Sequence, residues 1–148
     1  MEVRDPRRCH GRAWIGLALA LACHVADEAA NDFLSLYNPL VRQIREVVPW
    51  LPIPTYTFSV WITGLIAAVL AMLLVTPQAF AGRRWIRLAS YALSAIMCAN
   101  GFVHILGSLA WHRFLPGVYS SPLLIAASIW LWRSIPRTQA GAARSAMA

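Results

Sequence analysis

Lysine is missing altogether: all 13 basic residues are arginine, set against six acidic ones, and the net charge is +7. Cysteine is sparse, with only Cys9, Cys23 and Cys98. An odd number, two of them inside apolar runs, excludes a disulfide framework and leaves small, weakly polar packing residues. Charge is thin, at 13% of the 148 residues, while 59% are hydrophobic. A soluble domain of this size cannot cover that much apolar surface, so the composition reads as a membrane protein. There is no internal repeat, and the low-complexity stretch TQAGAARSAMA is confined to the carboxyl end. Exclusive arginine and abundant alanine fit a GC-rich bacterial genome.

The hydrophobic residues gather in four stretches: Ala13 to about Asn31, Thr57 to Thr76, Leu88 to about Leu109, and Pro122 to Trp132. All but the last approach the roughly 20 residues that a helix needs to cross a ~30 Å hydrocarbon layer. Ten arginines lie before the first stretch, between the second and third, or after the fourth, and only Arg42, Arg45 and Arg113 lie in the other connections. That alternation is the positive-inside pattern of four spans with both ends in the cytoplasm of a bacterial inner membrane. Read so, the positive charge records topology, and a nucleic-acid partner is excluded. A cleaved signal peptide over residues 1–30 is the competing reading, but it leaves three spans and turns the amino terminus outward. The predicted fold is all-α, a four-transmembrane-helix bundle: 1–12 a basic cytoplasmic start, 13–137 the membrane domain, 138–148 a flexible tail.

The connection from Leu34 to Tyr56 is the longest and carries Pro39, Pro49, Pro52 and Pro54. Within it NPLVRQIREVV predicts a short amphipathic helix lying on the membrane surface, with Asn38 as its cap and Pro39 in its first turn. SSP at Ser120 to Pro122 reads as a helix start. His10 falls in the basic amino end and His112 beside Arg113 at the interface, and neither carries an expected role.

Charged side chains deep in a bilayer cost a few kcal/mol each, so they persist where they pair, line water or do work. His24, Asp27, Glu28 and Asn31 stand at helical spacing on one stripe, as do Asn100 and His104. At about 1.5 Å per residue from Trp14, His24 lies about 15 Å deep and Glu28 about 21 Å; from Leu88, Asn100 lies about 18 Å and His104 about 24 Å deep. The two stripes are therefore expected to meet in the outer half of the membrane. His24, Glu28 and His104 would make a three-ligand metal site, with Asp27 and Glu28 the candidate acid–base groups and Asn31 and Asn100 in support. Pro116 and Gly117 predict a sharp turn over the outer mouth of that site.

These residues carry a resemblance. HVADE at His24 to Glu28, NGFVH at Asn100 to His104 and FLPG at Phe114 to Gly117 resemble the HxxEE, NxxxH and YxPG motifs of the HXXEE family of small four-span membrane proteins. The three occur in the same order and extend from the first span to the start of the fourth. Asp27 stands for a glutamate, one methylene shorter, and Phe114 for a tyrosine, without its hydroxyl. The resemblance implies a metal-dependent membrane enzyme and names no reaction. The expected function is hydrolysis of a lipid-like or small amphiphilic substrate by water activated on a divalent metal, zinc favoured. The alternatives are a proton or solute transporter, and a scaffold whose polar cluster locks its helices.

Overall fold

A computed structural model describes residues 5–136. The described chain is all-α, with six helices: α1 (Pro6–Ala30), α2 (Phe33–Val47), α3 (Phe58–Leu74), α4 (Thr76–Phe80), α5 (Arg84–Ala110) and α6 (Ser121–Ser134). The two longest, α1 and α5, are long and apolar enough to cross a membrane; α3 is apolar but has 17 residues, and α6 has 14.

Helix α1 starts earlier than the hydrophobic pattern predicts. Asp5 accepts the Arg7 backbone N–H at 2.9 Å and Pro6 fills the first turn, so the helix begins within the basic stretch. Its buried residues His10, Ala13, Trp14, Leu17, Leu21, His24 and Glu28 recur at steps of three and four and face α3, α4 and α6. Arg7, Arg8 and Arg12 point away into the open. His10 is thereby not a loose surface residue: it is fully buried, with Nε2 2.9 Å from Ser90 Oγ and Nδ1 3.3 Å from the Ala79 carbonyl. Trp14 adds a second tie, donating from Nε1 to the Met72 carbonyl at 2.7 Å.

The helix after α1 also differs from its predicted bounds. It begins at Phe33, after Asp32 turns the chain with a left-handed φ of 54°, and Pro39 lies inside it. Asn38 is not its cap. Its amide donates to the Tyr56 carbonyl at 2.9 Å and accepts the Tyr56 N–H at 3.0 Å, binding the returning strand of loop to the helix. Tyr37 donates to the Pro54 carbonyl at 3.0 Å, and the Arg45 guanidinium donates to the Ile53 carbonyl. Burial pushes the Tyr37 phenol above its usual pKa, which keeps it a donor.

Helices α5 and α6 pack closely over small residues. A side chain at Gly101 would stand 2.7 Å from Ile125 Cγ1 and 3.2 Å from the Ser121 carbonyl, so only glycine allows this crossing. Ser90, Ser108, Ser121 and Ser128 bury their hydroxyls by donating to the carbonyl four residues earlier. Beside an apolar core built around α1, the bundle buries polar groups and turns large apolar side chains outward. His10, His24, Glu28, His104 and the serines lie inside, whereas Phe58, Val60, Ile66, Leu70, Ile96, Val103, Leu106 and Leu109 face outward.

Candidate metal centre

Helical spacing brings His24 and Glu28, one turn apart on α1, to the same face, where α5 presents His104. All three are buried, and one ligand atom from each lies within 4.8 Å of the others. Glu28 Oε1 is 3.1 Å from His104 Nε2 and 3.6 Å from His24 Nε2. Ligands about 2.05 Å from a tetrahedral ion stand about 3.3 Å apart, so these separations bracket what a zinc-sized cation requires. The imidazole rings meet edge to face, with centroids 4.9 Å apart. The three side chains could hold a divalent cation.

His24 is held in one orientation by two partners, one on each ring nitrogen. Asn100 Nδ2 lies 3.0 Å from its Nε2, and Ser120 Oγ lies 2.8 Å from its Nδ1. The Ser120 hydroxyl donates to Asp27 Oδ2 at 2.8 Å, a charge-assisted bond that takes its single proton. Ser120 Oγ must then accept from His24, which puts the ring proton on Nδ1 and the lone pair on Nε2. Asn100, a donor at that nitrogen, agrees with this tautomer. That lone pair accepts from Asn100, and a cation bound at Nε2 would take the place of the Asn100 N–H.

Asp27 accordingly reaches the cluster through Ser120. Its Oδ2 also accepts the Ser120 backbone N–H at 2.9 Å, and its Oδ1 accepts from Asn31 Nδ2 at 2.9 Å. Asn31 caps the end of α1 and is exposed, and its amide bonds Asp27 and neither imidazole. Gly117 closes the outer side. Its φ is +86°, and a side chain there would lie 2.9 Å from atoms of both His24 and His104, so the glycine backbone sits directly on the rings. Pro116 lies beside it, lining a separate cleft with Asn31, Asp32 and Arg113. Phe114 points away, 77% exposed and stacked on Tyr119 at 5.6 Å.

Two participants were not singled out as site residues by sequence reasoning. Ser120 reads as a cap for α6, yet it makes no capping bond with its side chain and turns to Asp27 and His24 instead. Phe33, whose ring centroid is 5.9 Å from that of His104, carries no motif. A serine four residues past FLP could have been noticed; nothing marked the phenylalanine.

Residues 14–131 match the family model described as a protein of unknown function with HXXEE motif. No curated protein and no solved structure matches the chain. The match spans His24 through the α5–α6 connection and more than half of the sequence, and the chain belongs to the HXXEE family.

Proposed function

We propose that this protein is a multi-pass membrane hydrolase that depends on a divalent metal held by His24, Glu28 and His104. The observation that carries the reading is the convergence of these three buried side chains, with one ligand atom of each within 4.8 Å of the others. Two imidazoles and one carboxylate, with a fourth position open, are a donor set that zinc hydrolases use. A bound cation would supply Lewis acidity, lowering the pKa of water and polarising a carbonyl. Glu28 offers Oε1 to the imidazoles, which leaves Oε2 to take a proton from the attacking water. In ester or amide hydrolysis the water oxygen bonds to the carbonyl carbon, the bond to the leaving group breaks, and the proton held by Glu28 passes to that group. Asp27 and Ser120 act through His24 and are positioning residues.

A membrane setting is supported by the many large apolar residues that α3 and α5 turn outward. Four crossings with cytoplasmic termini are supported by the arginine distribution, and the length of α1 and α5 suits two of them. The substrate that suits such a site is lipid-like or a small amphiphile.

Metal analysis by mass spectrometry of purified protein is the test. One zinc-class ion per chain in the wild type, lost in His24→Ala and His104→Ala, is the expected result; wild-type protein without stoichiometric metal overturns it. A purely structural cluster has one observation in its favour, that His24 already has a partner on each ring nitrogen. It predicts that the same two variants lose folded protein in detergent while no ion is found in either variant or wild type.

A further inference from the structure

One wall of the candidate centre belongs to neither α1, α5 nor the Gly117 turn. Phe33 stands there, with its ring centroid 5.9 Å from His104, 5.8 Å from Trp61 and 5.4 Å from Tyr37. On its far side a groove of about 380 Å³ runs between α2 and α3, lined by Phe33, Tyr37, Tyr56, Trp61, Gly64 and Leu65. That volume lies within the ~300–1,000 Å³ range of small-molecule pockets. Phe33 is thus shared, one of its neighbours being a proposed ligand and the others the walls of the groove.

The lining decides what fits. An aromatic box for a quaternary ammonium needs ring faces turned toward one centre. Here the rings lie nearly parallel, at 28° for Phe33 and Tyr37, 29° for Phe33 and Trp61 and 23° for Tyr37 and Tyr56, so their faces are spent on one another. The Tyr37 hydroxyl is bonded to the Pro54 carbonyl. What remains toward the groove is hydrocarbon. Gly64 adds an independent observation: no atom lies within 4 Å of where its side chain would stand. No neighbour requires glycine at that point, and its effect is to leave the groove unfilled.

We propose that the α2–α3 groove holds the hydrocarbon chain of the substrate, which is a single-chain amphiphile such as a fatty-acyl ester or amide with its scissile group at the His104 end. The proposal rests on the metal-hydrolase reading for the word substrate, and on Phe33 as the side chain that borders both groove and centre. The chain enters sideways from the membrane between the surface helix and α3.

The full chain in lipid nanodiscs is photolabelled with a diazirine derivative of palmitic acid, and labelled peptides are mapped by mass spectrometry. Labelling concentrated on the peptides around Phe33–Tyr37 and Trp61–Leu65, and reduced about tenfold in Gly64→Leu, is the expected result, since filling a pocket by a few methylenes changes occupancy by that order. Val60→Trp, one turn from Gly64 and 61% exposed, fills the same groove without displacing packed atoms and should do likewise. Labelling that spreads evenly over the outward faces of α3 and α5, or that neither variant reduces, overturns the proposal. Metal content is measured on the same samples. Absent metal with groove labelling intact strikes the hydrolase reading and with it the substrate role, whereas normal metal with indifferent labelling strikes the groove alone.

Discussion

At the scale of single residues, the site depends on a serine that has left its expected job. Ser120 fixes the His24 tautomer, and losing such a supporting partner typically costs about 10–100-fold in metal affinity. Ser120→Ala is therefore expected to weaken zinc binding by roughly that factor in a competition titration against a chromophoric chelator, with helical content unchanged. Phe114→Tyr makes a useful contrast. It restores the family's hydroxyl at a position 77% exposed and outside the cluster, so metal affinity should not move and stability should change by less than about 0.5 kcal/mol. Gly117→Ala should be severe on both counts, because an alanine adds strain at a φ of +86° and presses a methyl onto both imidazoles. His24, Glu28 and His104 were legible in the sequence because deep ionisable residues are costly and helical spacing tells which share a face. Ser120 was not, since a serine before a proline-led helix has an ordinary explanation. Asp27 shared the stripe by spacing, but its side chain belongs to α6.

At the scale of elements, the prediction of a helix after α1 holds while its start does not. Asn38 followed by proline is good capping chemistry, and the local pattern gives no sign that Phe33 to Tyr37 extend the helix. Tertiary bonds decide the matter, for Asn38 spends its amide on both backbone groups of Tyr56. Asn38→Ala should free the loop from α2, and limited trypsin digestion should then cut faster after Arg42 and Arg45 than in the wild type. The early start of α1 has a similar cause. Hydrophobicity marks only where lipid begins, whereas Asp5 and Pro6 mark where the helix begins. The α5–α6 crossing rests on Gly101, a contact that periodicity could suggest only as a small residue on a buried face.

At the scale of the whole molecule, the order of charges along the chain and the outward apolar side chains of the folded bundle bear on one question, which residues meet water. In a cysteine-free background, Ser35→Cys is expected to react with a membrane-impermeant maleimide on intact spheroplasts, and Arg83→Cys only after the membrane is opened. Equal labelling of both would dismantle the four-crossing topology. His10 ties α1 to α4 and α5 far from the candidate centre. His10→Ala leaves Ser90 and the Ala79 carbonyl buried without that partner, a loss of about 1–3 kcal/mol that thermal unfolding in detergent should register while metal content stays at the wild-type level. The all-α class follows from composition and hydropathy alone, but the identity of the innermost helix does not. Both α1 and α5 are long and apolar, and only packing reveals that α1 is the one enclosed.

Asp27 receives the first backbone amide ahead of α6, so a carboxylate of one helix serves as the terminus of another. The same oxygen, through Ser120, sets which nitrogen of His24 is bare. Docking of the last described helix and setting of the imidazole proton are consequently a single event: with α6 unseated, His24 keeps Asn100 on one nitrogen and loses the acceptor that fixes the proton on the other.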